Sequence, residues 1–182
     1  MDTQLTRHFN VNEFTCKCGC RTNHIQLALA QRLEKLYEYL ETCEGGVSAV
    51  IVTSGYRCPH HSVAVGGSYD DAHTRGIAAD IYALKSDGVS RWDSRALAAV
   101  AERVGFTGIG IIDNTAVQCD IRNSTNYKNA HWFGDERTGN DNISTFADSL
   151  PRKSAEKIGE TKVLKHTLAV YIDGDKVYER EV

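Results

Sequence analysis

Residues 71–80 read Asp71-Ala72-His73-Thr74-Arg75-Gly76-Ile77-Ala78-Ala79-Asp80, a polar run that passes through one glycine into an apolar, strand-like one. An imidazole and a carboxylate lie seven residues apart across that glycine. If Gly76 turns the chain, His73 on the loop and Asp80 on the adjoining strand can converge. Both are ordinary zinc ligands, and together they would supply two of the three that a catalytic site usually draws from protein. A surface histidine followed by a turn aspartate has the same spacing, so the surrounding residues must decide.

Before this stretch, Ile25, Leu29, Leu33, Leu36 and Leu40 recur at helical spacing until Gly45-Gly46, and Asn23 with Gln26 resembles a capping box. The pattern predicts an amphipathic helix over 24–43, preceded by an irregular lead-in of 22 residues. Val47 to Thr53 is rich in β-branched residues and reads as a strand. From Ser54 to Thr74 the sequence turns to Gly, His, Ser, Asp and Tyr, the composition of a surface loop that carries functional groups. After it come a strand at Ile77–Ala83, a helix capped by Asp93 or Ser94 and running to Val104, and strands at Gly108–Ile112 and Ala116–Arg122 around the turn Asp113-Asn114. Residues 123–160 read as a partly ordered loop with a helix after Pro151. Thr167–Ile172 and Lys176–Val182 flank Asp173-Gly174-Asp175 as a hairpin. The fold class expected is α+β, a small antiparallel sheet with flanking helices.

The chain has 182 residues, 41% of them hydrophobic, enough for one compact core. With 21 Lys+Arg against 24 Asp+Glu the formal charge is −3, which offers no basic surface for nucleic acid. No apolar run reaches the roughly 20 residues of a membrane span. Met1–Asn10 is polar, so synthesis in the cytoplasm without a signal peptide is the expectation. Cys16, Cys18 and Cys20 alternate within five positions, a density that suggests metal. C-x-C-x-C is not the C-x2-C knuckle, however, and Cys43, Cys58 and Cys119 follow without a second one. A small structural metal site, reduced thiols and a local disulfide all stay open.

Ser54-Gly55-Tyr56-Arg57-Cys58-Pro59, then Val65-Gly66-Gly67, then His73, Gly76, Ala78 and Asp80 resemble the zinc D-alanyl-D-alanine carboxypeptidases and related peptidoglycan endopeptidases. These are the LAS metallopeptidases, metallopeptidase family fifteen, whose core the Hedgehog signalling domain shares. The lead-in Glu13-Phe14-Thr15-Cys16-Lys17-Cys18-Gly19-Cys20 looks like the start of the short branch common in phages and prophages. The resemblance covers roughly residues 8 to 134 and implies a peptidase-like domain over 1–134, with 135–182 as a polar loop and hairpin extension.

Carried over by position, the resemblance makes His73 and Asp80 the first two ligands of Zn2+. Arg57 becomes the arginine that faces substrate and steadies charge on the scissile carbonyl, with Tyr56 beside it. The family's third ligand is a histidine in a strand of the form apolar-His-x-Asp-x-Arg. The matching segment is Val117-Gln118-Cys119-Asp120-Ile121-Arg122, so Gln118 holds the ligand position with a weaker, neutral donor. His131 is the residue that could fold back to complete the set, and Trp132 could wall the substrate. Asp120 and Asp113 are the candidate general bases for zinc-assisted hydrolysis. Asp71 stands where relatives usually have serine, and an extra carboxylate there would repel a free C-terminal carboxylate. The resemblance therefore implies an endolysin-like hydrolase of peptidoglycan stem peptides, of D-Ala-D-Ala carboxypeptidase or endopeptidase type with Asp71 weighing against the former, released to the cell wall by a phage lysis system or carried in a virion. The alternative is a family member that has lost catalysis and serves as a cell-wall-binding or phage structural module, with the hairpin used for attachment. A Hedgehog-like interaction domain is the third reading.

Overall fold

The structure, a computed structural model, describes residues 3–123, 125 and 129–154, together with the backbone of 167–172 and 175–181. Its main body is a five-stranded sheet of β1 (Ala49–Ser54), β2 (Ala78–Leu84), β3 (Gly108–Ile111), β4 (Val117–Asp120) and β5 (Trp132–Asp135), in the order β1-β2-β4-β3-β5. The first four strands pair antiparallel, as expected. The fifth pairs parallel to β3, which makes the sheet mixed.

Register sorts the sheet into two chemically different faces, because strand side chains alternate with period two. Ala79, Ile81 and Ala83 of β2, Ile109 and Ile111 of β3, Val117 and Cys119 of β4 and Phe133 of β5 all belong to the hydrophobic core. The opposite face carries Asp80 beside Gln118, Ala78 beside Asp120, and Gly108 and Gly110 between β4 and the indole of Trp132. The Gly-Ile-Gly-Ile sequence of β3 is thus half core and half empty space. A side chain at 110 would run into Trp132, and one at 108 would run into the carboxylate of Asp120.

Two helices cover the apolar face. Helix α1 (Leu27–Glu41) buries Leu29, Ala30, Leu33, Leu36, Tyr37 and Leu40 on one stripe. Each fully buried leucine stabilises by about 1.5–3 kcal/mol relative to an exposed one. The expected capping box at Asn23 is not formed. Gln26 occupies the N-cap without a side-chain bond and reaches the Arg75 carbonyl instead, while Asn23 accepts from Ile25. Helix α3 (Ser94–Arg103) is capped by Asp93, which accepts from the amides of Arg95 and Ala96.

Three parts differ from the sequence reading. The lead-in is part of the core: Asn10 and Glu13 cap a 3-10 turn at Val11–Phe14, and Phe9 and Phe14 are fully buried. The loop after β1 contains a short helix, α2 (Pro59–Ala64), started by proline at its first position. Residues 123–160 contain β5, so the boundary at 134 falls inside a strand, and Ile143, Phe146 and Leu150 pack on the same core. Pro151–Ser154 is not helical, and the rest of the helix expected after Pro151 lies outside the described residues. Strands β6 (Thr167–Ile172) and β7 (Asp175–Glu181) pair antiparallel, as the hairpin signal predicts. Among the described residues no helix is long and apolar enough to cross a membrane.

The β3 glycines make a test of this face. Gly108→Ala places a methyl against a buried, ion-paired carboxylate that cannot yield, so urea denaturation is expected to show a loss of about 1–3 kcal/mol. An unchanged midpoint would mean that Asp120 is not packed under β3.

Candidate functional site

The polar end of the sheet opens into a cleft of about 450 Å³, within the usual range for a ligand site, lined among others by Arg57, Asp71, His73, Asp80, Gln118 and Glu136. It forms where β1 ends. The register slips between Val52 and Ser54, a bulge that leaves Thr53 to bond the Asp80 carbonyl through its hydroxyl. Beyond the bulge, Gly55 lies against the backbone of Phe14, with room for no Cβ: the nearest atom, Phe14 Cα, would be 2.5 Å away. The Tyr56 amide then donates to the Phe14 carbonyl at 2.8 Å. The lead-in therefore fixes the segment that carries Arg57.

From the other side, the loop 71–76 brings in His73. Gly76 adopts φ +67 and presses against the backbone of His24, so its lack of a side chain is what lets the loop turn into β2. His73 is 2% exposed. Its Nδ1 lies 2.8 Å from the Gly55 carbonyl oxygen, and since a carbonyl can only accept, Nδ1 carries the proton. Nε2 is buried without a hydrogen-bond partner and lies 3.4 Å from Asp80 Oδ1. A bare nitrogen lone pair facing a carboxylate oxygen is repulsive unless a cation, proton or metal, sits between them. This orientation, with one ring nitrogen tied to a carbonyl and the other offered to a carboxylate, fits a metal-ligating histidine.

Asp80 is also held by Arg57, whose Nη2 donates to Oδ2 at 2.5 Å while Nε donates to Ser54 Oγ at 2.8 Å. Gln118 is the cross-strand partner of Asp80, so it shares that face and that end of the cleft. Its amide nitrogen points to Asp120 Oδ2 at 3.4 Å, which leaves the amide oxygen as the atom available to a cation. His73, Asp80 and Gln118 therefore meet at one cavity. Asp71 is there too. It accepts from the Ser62 hydroxyl and the Thr74 amide, while Arg75 holds Asp70 at 2.6 Å.

The other sequence candidates are placed elsewhere. Asp120 is fully buried and grips Arg122 through Nε and Nη2, so it positions that guanidinium at the cleft and does not itself line it. Asp113 is exposed at the β3–β4 turn, where the amides of Thr115 and Ala116 hold its carboxyl below the usual range and make it a weaker base. His131 is exposed and lies tilted against Phe133 at 4.1 Å, outside the cleft lining. Trp132 packs across Gly110 and Gly134 with the Arg122 guanidinium 5.3 Å over its ring, one layer behind the cleft. Tyr56 is buried against His24, edge to face at 5.1 Å, and burial pushes its hydroxyl pKa up. Glu136 and Arg122 line the cleft and were not singled out from sequence. Glu136 arrives because its amide bonds the Ile111 carbonyl just after the parallel strand β5, a pairing without a local sequence signal.

The family model described as Peptidase M15 matches residues 7–120, which spans the lead-in, His73, Asp80 and the β4 strand. No curated protein matches the chain.

The ligand geometry is open to measurement by calorimetric zinc titration. Gln118→His is expected to tighten binding at the cleft and His73→Ala to weaken it, each by at least the roughly 10–100-fold associated with outer-sphere partners. Equal affinities in all three proteins would place the metal elsewhere.

Proposed function

The chain belongs to the M15 peptidase family, and from that premise we propose that it is a zinc-dependent peptidase acting on the stem peptides or cross-links of peptidoglycan. The observation that carries this reading is the meeting of the His73 Nε2 lone pair and the Asp80 carboxylate in a cleft within the family-matched region. A divalent cation held by His73, Asp80 and the Gln118 oxygen would supply Lewis acidity, making water a competent nucleophile near neutral pH. Arg57 supplies the fixed fork of N–H donors that steadies negative charge as it develops on the scissile carbonyl oxygen. Of the cleft carboxylates, Asp80 is ion-paired to Arg57 and Asp71 accepts from Ser62 and Thr74, so Glu136 takes the proton from the attacking water in place of Asp120 or Asp113. Asp71 disfavours a substrate with a free C-terminal carboxylate, which favours internal bonds over terminal ones.

The alternative, a binding module that has lost catalysis, rests on Gln118. Among the described residues no second imidazole lines the cleft, and a neutral amide brings no charge to compensate the ion. Incubation of the zinc-loaded chain with purified stem peptides, followed by mass spectrometry of new termini, separates the two. Cleavage by wild type and a 10²–10³-fold fall in kcat/KM for Arg57→Ala, roughly the cost of losing an oxyanion donor, is the expected result. Intact peptide with zinc bound at His73, together with co-sedimentation of the chain with cell walls, would favour the binding module.

A further inference from the structure

Outside the cleft, four thiols from two distant segments meet. Cys16, Cys18 and Cys20 from the lead-in and Cys58 from the loop after β1 place their sulfurs within 4.8 Å of one another. Cys16 Sγ lies 3.4 Å from Cys18 Sγ, and Cys18 Sγ lies 3.7 Å from Cys58 Sγ. All four are free thiols. At a Zn–S length of about 2.3 Å, sulfurs at the corners of a tetrahedron are about 3.8 Å apart, in the middle of this range.

The backbone is shaped for the cluster. Gly19 at φ +87 and Arg21 at φ +58 curl the chain so that three alternate cysteines converge on one point. Arg21 is the one described residue other than glycine with positive φ, a conformation that costs roughly 1–2 kcal/mol. The Cys16 amide is tied to the Thr22 carbonyl at 3.0 Å, and the Cys58 amide donates to Cys16 Sγ at 3.3 Å, a bond that stabilises sulfur as a thiolate. Cys16 is 4% exposed and Cys58 half-buried, while Cys18 and Cys20 face solvent, which leaves an entry path.

We propose that Cys16, Cys18, Cys20 and Cys58 form a tetrathiolate site for one structural zinc ion. Binding exchanges four S–H bonds for four Zn–S bonds and releases four protons to solvent, with no change of oxidation state. All four protein ligands are used, so no position is open for catalysis and the role is mechanical. The metal staples the lead-in to the segment Gly55–Cys58, which supplies the carbonyl that orients His73 and the arginine that holds Asp80. The proposal does not rest on the peptidase reading, since a binding module would need the same staple.

The test uses the full chain, reduced and stripped with chelator, titrated with Co²⁺ as a spectroscopic stand-in for zinc. Wild type and His73→Ala are both expected to give strong thiolate-to-cobalt absorption and the intense visible bands of tetrahedral cobalt, at one equivalent. Cys18→Ser and Cys58→Ser are expected to lose most of that absorption. A second measurement needs no variant: zinc should protect Cys16, Cys18, Cys20 and Cys58 of wild type from alkylation, as read by peptide mass mapping. Cobalt binding without sulfur absorption, loss of the bands in His73→Ala, or equal alkylation with and without zinc would each overturn the proposal.

Discussion

The hydrogen bond from His73 Nδ1 to the Gly55 carbonyl is the constraint around which the site is arranged. It assigns the proton on Nδ1 and aims Nε2 at Asp80. The bond exists only because two loops are held against the chain that precedes α1. Gly55 lies on Phe14, and Gly76 lies on His24. Both approaches exclude a side chain, so the two glycines set the position of the imidazole more directly than any residue inside the cleft.

The sheet follows the same logic. Its core face is built from apolar residues that alternate with the cleft face, and the cleft face carries Asp80, Gln118, Asp120 and the β3 glycines. Burying an Asp120–Arg122 pair on that face is tolerated because the bidentate geometry satisfies both oxygens, and because glycine at 108 leaves space for the carboxylate. Arg122 thus becomes a fixed positive wall of the cleft with Trp132 behind it. The same arrangement removes Asp120 from proton transfer, since its carboxylate is fully buried and both oxygens are taken by the guanidinium.

Much of this was legible in the sequence where the signal is local. The leucine stripe of α1, the Asp93 cap of α3 and the alternating strands follow from spacing, and the turn at Gly76 follows from the only residue there that adopts its backbone angle readily. What escaped depends on long-range register. Strand β5 has four residues and pairs in parallel, so no turn marks it, and Glu136 arrives at the cleft only through that pairing. Cys58 lies 42 residues from Cys16, and the three lead-in cysteines look incomplete until the fold brings in the fourth. His131 lies outside the cleft for the converse reason: nearness in sequence to Trp132 said nothing about which way the ring would face.

Diffraction from crystals grown with zinc, recorded on both sides of the zinc absorption edge, addresses the shared cation at His73 and Asp80 most directly. The expected result is an anomalous peak within bonding distance of His73 Nε2 and an Asp80 carboxylate oxygen, with Arg57 drawn off Oδ2 or sharing it. A map with no peak there, and His73 and Asp80 still in contact through a proton alone, would contradict a metal centre in the cleft.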